Sequence, residues 1–196
     1  MPAGTLRQRN ERRVWIVSAL IVYESMYGNT RRIAEAIARG LATAGPVTVT
    51  RIAELDSSAT QGVDLLVIGA PTHGWSLSRP STRKAAVEAA AKPASGLTVE
   101  ENATAPGVRE WLQSLDTQAL RGRVAVAALD TRMRAPLGLS GAASRTIAKR
   151  IRRRGMSCAA RRGFRVTKQN QLIEGEQARA ESWGRELAGR LAQSIN

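Results

Sequence analysis

The chain reads as an α/β fold: a doubly wound sheet of five parallel strands in the order 2-1-3-4-5, with helices on both faces. Three observations carry this. Short apolar runs alternate along the chain with segments whose apolar residues recur at helical spacing. The strongest runs are apolar at nearly every position, as strands buried on both faces are. And 196 residues fill one domain well but not two.

The elements follow in order. Residues 1–12 read as a mobile polar tail and 13–196 as the domain. RQRNERR (7–13) before VWIVSALIVY (14–23) resembles the start of a signal peptide. The apolar run is too short to span a membrane, and no small-residue cleavage pattern follows it, so it is expected to be a strand. Residues 30–41 place Ile33, Ala34, Ile37, Ala38 and Leu41 on one helical face, and Gly45-Pro46 ends the unit. VTVTRI (47–52) alternates and is β-branched; VDLLVIG (63–69) and RVAVAAL (123–129) are further strands. Residues 76–107 read as one long irregular connection, the kind that often carries function, before a short helix around 109–115. Residues 140–154 form a helix with Ile147, Ala148 and Ile151 inward, which Ser140 can cap and Gly155 can end. MSCAA and GFRVT, within 156–167, give a last, interrupted strand, and 174–193 a closing helix with the stripe Ala180, Trp183, Leu187, Leu191. Trp111 and Trp183 read as core residues. No other stretch approaches a membrane span. A single cysteine, Cys158, leaves no internal disulfide, reads as a buried strand residue and fits a reducing compartment, so the cytoplasm is expected.

Between the first strand and the first helix stands ESMYGNT (24–30). A strand running into a helix aims the helix's free N–H groups and positive dipole end at the turn. Gly28 lets successive N–H groups converge, Ser25 and Thr30 add hydroxyls, and Asn29 can cap. The arrangement suits a phosphate; an ordinary tight turn favours the same small residues. It lacks the GK[ST] ending of a P-loop and the G-x-G-x-x-G of a dinucleotide site. APTHGW (70–75) follows the second buried strand, which neighbours the first at the topological switch point where ligands of such sheets bind. Trp75 offers a flat face to a flat ring. His73, the only histidine, is expected to touch a ligand without catalysing. LDTRMR (129–134) follows the next strand and points to the same edge.

In SMYGNT (25–30), DLLVIGAPTHGW (64–75) and LDTR (129–132), and in strand and helix order from about 14 to 193, the chain resembles the flavodoxin-like FMN-binding family. Ser25, Gly28, Asn29 and Thr30 fit that family's phosphate-loop pattern; Tyr27 stands where Thr is usual, as in flavodoxin-like quinone reductases. The resemblance implies FMN, its phosphate on Ser25, Met26, Tyr27, Gly28, Asn29 and Thr30. It implies the ring between Pro71, Thr72, His73, Gly74 and Trp75 on one side and Asp130, Thr131 and Arg132 on the other. Many flavodoxins sandwich the ring between Trp and Tyr; residues 130–134 hold no aromatic, which leaves Met133 or an arginine to pack there. Arg132 and Arg134, with Arg79 and Arg83, are expected to place positive charge near the ring.

Flavodoxins of the usual kind are acidic, whereas this chain carries a net charge of +14. The excess is local: between Thr131 and Ile173 stand twelve Lys and Arg residues and no Asp or Glu. That segment is expected to attract an anionic partner, though a solvated basic face reads the same way. No interleaved aromatics indicate sequence-specific nucleic-acid reading, and one His and one Cys leave little from which to build a metal-ligand cluster or a Ser-His-Asp set. The expected function is electron transfer through FMN. The protein would serve as a carrier for a redox partner protein or as an NAD(P)H-dependent reductase of a quinone-like small acceptor, and the long 76–107 segment favours the second. The other reading is a basic interaction protein with a degenerate FMN site, binding a polyanion or a membrane surface.

Overall fold

The computed structural model describes residues 18–56, 58–134 and 141–195. The expected tail at 1–12, the first residues of the 14–23 run and the proposed cap Ser140 lie outside them. Five parallel strands form one sheet: β1 (Ala19–Tyr23), β2 (Val47–Arg51), β3 (Leu65–Pro71), β4 (Ala125–Met133) and β5 (Cys158–Val166), in the order β2-β1-β3-β4-β5. The helices are α1 (Asn29–Leu41), α2 (Pro80–Ala90), α3 (Val108–Ser114), α4 (Thr117–Leu120), α5 (Ala143–Arg153) and α6 (Glu176–Ile195).

Two cores explain the continuous apolar runs. On β1, Ala19, Ile21 and Tyr23 join the core beneath α1 and α6, while Leu20 and Val22 join the one beneath α3 and α5. Trp183 is buried in the first, its ring 6.1 Å from that of Phe164. Trp111 packs, partly buried, against the second. Helices α1 and α6 meet backbone to backbone: a Cβ on Gly40 would lie 2.1 Å from the Glu181 carbonyl oxygen, and one on Gly184 2.2 Å from that of Ile37.

Two details differ from the expected elements. Residues 80–90, inside the segment read as irregular, are helical. Pro80 opens α2, and the Arg79 N–H donates to Thr82 Oγ1 at 2.9 Å. The helix has no apolar stripe: alanines alternate with polar residues, and only Arg83 is buried, so helical periodicity had no signal to give. The interruption expected in the last strand is a bulge: Val126 pairs with Cys158 and Ala127 with Ala160, leaving Ala159 extra. Gly155, at φ 77°, ends α5 as expected. Its N–H reaches the Arg152 oxygen at 2.9 Å and the Met156 N–H that of Ile151 at 3.2 Å.

Candidate functional site

A cavity of about 490 Å³ opens at the carboxyl ends of β1, β3 and β4. That volume is typical of small-molecule sites, about 300–1,000 Å³.

Ser25, Met26, Tyr27, Asn29 and Thr30 line one end. Gly28, at φ 82°, turns the chain into α1, and its N–H donates to Ser25 Oγ at 3.1 Å. It does not line the cavity: it faces Glu100, whose Oε1 would lie 3.6 Å from a Cβ there. The Tyr27 hydroxyl donates to the Ala86 oxygen at 2.8 Å, Asn29 Nδ2 to the Asn170 oxygen at 2.6 Å, and the Thr30 and Thr131 hydroxyls are hydrogen-bonded to each other at 2.8 Å. Asn29 Oδ1 is buried without a partner. Asn29 and Thr30, the first residues of α1, line this end, and the first N–H groups of a helix have no intrahelical acceptor. Behind the loop, Glu100 accepts from Arg31 Nε at 2.5 Å and Arg51 Nη2 at 3.0 Å. Burial pushes the Glu100 carboxyl up, but hydrogen bonds from Arg31, Ser25 and Arg51 outweigh it and hold it below its ordinary value. Arg31 also pairs with Glu35 at 3.1 Å and Arg51 with Glu54 at 3.5 Å, so carboxylates balance both guanidinium groups behind the loop.

Pro71, Thr72, His73, Gly74 and Trp75 form a second wall. The Thr72 N–H donates to the Thr131 oxygen at 2.8 Å, and His73 and Ser76 exchange backbone bonds at 2.9 and 3.2 Å, closing a tight turn. The turn is tied to α5: the Ala143 N–H donates to Thr72 Oγ1 at 3.1 Å, and the Ser76 and Thr146 hydroxyls are hydrogen-bonded to each other at 3.0 Å. Trp75 is 66% exposed. Burial, then the nearby Arg83 charge, holds the His73 imidazole below its usual pKa, so it is neutral near pH 7 and lines the cavity as a packing residue.

Thr131, Arg132 and Met133 supply the third wall, with Met133 54% exposed. Asp130 does not reach the cavity. It is fully buried and accepts the Ser144 N–H at 3.1 Å, anchoring the start of α5 to β4. Burial pushes its carboxyl up, against the Ser144 hydrogen bonds and Arg132. Arg132 Nη1 stands 3.5 Å from Asp130 Oδ1. The expected charges of Arg79 and Arg83 do not line the cavity: Arg83 is buried, bound to Ser78 Oγ at 2.9 Å and Glu110 at 3.2 Å.

Ala86, Gly141, Val166 and Asn170 also line the site and were not singled out from the sequence. Only Asn170 carried a signal, as part of a polar turn; it sits in the left-handed region at φ 57°. Cys158 is half-buried in β5, and burial pushes its thiol up. No described cluster of His, Cys, Asp or Glu could hold a metal ion, and no described helix is long and apolar enough to cross a membrane.

The model of the flavodoxin family, described as Flavodoxin, matches residues 21–99, which hold the first two walls. No curated protein matches the sequence. Among solved structures, the chain is similar to a flavodoxin from the domain Archaea at 18% identity and a TM-score of 0.57, covering 90% of this chain and 99% of that one. It is similar to a short-chain flavodoxin associated with a non-canonical PDU bacterial microcompartment, at 15% identity, TM-score 0.60 and the same coverages, 90% and 99%. It is also similar to two-electron reduced Megasphaera elsdenii flavodoxin, at 18% identity and TM-score 0.56, over 87% and 98% of the two chains. With its sheet order, its switch-point cavity and the match over residues 21–99, the chain has a flavodoxin-like fold.

Proposed function

We propose that the cavity holds FMN and that the protein passes electrons between redox partners as a carrier. One observation bears most of the weight: a single cavity joins a helix N-terminus with hydroxyl and amide groups at one end to an exposed tryptophan at the other, at the switch point of the sheet. A phosphate-ended ligand with a flat ring fits that polarity. The phosphate would rest on Ser25 to Thr30 and the amides opening α1. The unpartnered Asn29 Oδ1 would accept from a hydroxyl of the ligand. The ring would lie between Trp75 and the Thr131–Met133 stretch, with Met133 in place of a second aromatic. Bound flavin supplies the one- and two-electron chemistry; the chain's residues hold it, shield one side and leave the edge at Trp75 and Met133 open.

The carrier mode gains over the reductase mode because only Ala86 of the 76–107 segment reaches the cavity. That segment therefore builds no additional substrate wall. With a single free cysteine, a reducing compartment such as the cytoplasm is the proposed setting. The test is titration of the purified protein with FMN and with riboflavin, following flavin fluorescence and visible absorbance. FMN is expected to bind and to bind better than riboflavin. No binding would overturn the reading in favour of a basic interaction protein with a degenerate site. NADPH oxidation on adding a quinone to the FMN-loaded protein would replace the carrier by the reductase.

A further inference from the structure

Charge divides between the two sides of the sheet. On the side of α1 and α6, cations meet carboxylates: Arg31 with Glu35 and Glu100, Arg39 and Arg185 with Glu181, Arg162 with Glu186, and Arg179 with Glu176. On the side of α3 and α5, arginines end on main-chain carbonyls. Arg109 donates to the Leu77 and Ser78 oxygens at 2.6 Å each, Arg150 to the Arg109 oxygen at 3.4 Å, and Arg154 to those of Leu115 and Gln113 at 2.9 and 2.7 Å. A carbonyl satisfies a guanidinium's hydrogen bonds without cancelling its charge. Of the carboxylates near these arginines, Glu24 and Asp130 are buried, Glu110 pairs with Arg83, and Asp116 caps α4, while Glu88 on α2 pairs with Lys84.

Four further cations, Arg145, Lys149, Arg152 and Arg153, are exposed along the outer ridge of α5, and none has an ion pair among the described residues. The ridge begins at the cavity. Gly141 lines it, and Arg145 adjoins Thr146, which is bonded to the Ser76 hydroxyl. From there α5 runs about 16 Å along the surface, at about 1.5 Å per residue. Beside its start stand Trp75 and Met133, the two exposed large apolar side chains of the described residues.

We propose that this ridge and the adjoining cavity mouth form a docking surface for the acidic face of a partner protein. The partner's redox centre would come to the mouth at Trp75 and Met133. The role of the partner as electron donor or acceptor rests on the FMN reading; the acidic docking itself does not. An aromatic, a methionine and arginines together are the composition enriched at protein interfaces. The four cations of the ridge have no aromatic among them for base stacking, and the two exposed apolar side chains, Trp75 and Met133, stand together at the mouth rather than along the ridge. Charges placed this way steer encounter and set register.

The test compares two double reversals of equal net charge: Arg145→Glu with Lys149→Glu on the ridge, and Lys92→Glu with Arg123→Glu away from it. All four residues are exposed. Thermal melts confirm folding, and Arg152→Gln with Arg153→Gln is the milder ridge variant. The carboxylate probe is poly-L-glutamate with the FMN-free protein; duplex DNA and phosphatidylserine vesicles are the comparison probes. Losing two ion contacts is expected to weaken polyglutamate binding by about tenfold for the ridge variant at low salt and far less for the control. In the FMN-loaded, photoreduced protein, the ridge reversal is expected to slow reoxidation by ferricyanide by about threefold or more and to speed it by hexaammineruthenium(III). Equal losses in ridge and control variants would reduce the ridge to net charge and overturn the proposal. Ridge-dependent binding that favours DNA or vesicles over polyglutamate would overturn it in favour of that partner. If FMN does not bind, the functional reading falls, and the polyglutamate comparison alone decides the docking surface.

Discussion

Gly141→Ala tests how tightly the site depends on the joint between the 73–76 turn and the start of α5. A Cβ at 141 would stand 2.1 Å from the Trp75 Cα and the Trp75 oxygen, and 2.2 Å from its carbonyl carbon. These are backbone atoms, so no side chain can swing aside. Ordinary contact begins at 3.4 Å, so the two segments must part by more than about 1 Å, and overpacking of this kind costs about 1–3 kcal/mol. Helix propensity gives nothing back, because residue 141 precedes α5. Parting also strains the Ala143–Thr72 and Ser76–Thr146 bonds, each worth about 1 kcal/mol. The variant is expected to lose about 2 kcal/mol in urea unfolding, and FMN affinity should fall by about fivefold or more for each bond lost, since Trp75 moves with its turn. Both are read on one sample, by far-UV circular dichroism and by FMN fluorescence. A variant that unfolds and binds as the wild type does would refute the reasoning.

The packing of α1 on α6 gives an internal contrast: Gly189 has nothing within 4 Å of an added Cβ, while Gly184 meets the Ile37 oxygen at 2.2 Å. Gly189→Ala is expected to raise Tm by about 2–4 °C through helix propensity and Gly184→Ala to lower it, so two shifts of the same sign would contradict the close approach. Gly28→Val forces a branched side chain to φ 82° and is expected to remove most of the preference for FMN over riboflavin, and equal wild-type affinities would rule out the phosphate seat. The folded state holds the His73 pKa down, so below about pH 6.5 the unfolded chain takes up a proton that the native state refuses, and stability falls as pH drops toward the lowered value. His73→Gln should flatten that slope in urea unfolding across about pH 5–7, and an unchanged slope would acquit the residue.

How much of this was legible depended on where each signal came from. β1, β3 and α1 announced themselves because their apolar residues form continuous or helical patterns, and both cores use them as those patterns require. Helix α2 was hidden because Pro80 and nine short or polar residues around Val87 give it no stripe. The LDTR stretch was placed at the right edge, but strand alternation splits it: Thr131 faces the cavity while Asp130 turns inward to hold α5. Gly141, Val166 and Asn170 enter the site through contacts across the fold; Asn29 and Asn170 are 141 residues apart. No window of sequence contains such a pair.

The positions of the cations separate two effects that composition alone had merged. Of the four arginines expected near the ring, Arg132 lines the cavity, Arg79 and Arg134 are exposed beyond it, and Arg83 is buried with Glu110. Arg132 is itself partly offset by Asp130 at 3.5 Å, and its guanidinium lies over Gly163, where a Cβ would stand 2.4 Å from Nη2. The field inside the cavity is therefore set by one compensated cation and by the α1 amides rather than by the net charge of +14. The ridge charges lie outside, in water, where screening over about 8–10 Å confines them to the surface they occupy. Such charges act on encounter, which samples the surface, far more than on the electron affinity of a ligand in the cavity. On the proposed reading, a basic chain keeps an FMN seat in this fold while presenting a surface of positive sign for a partner to match.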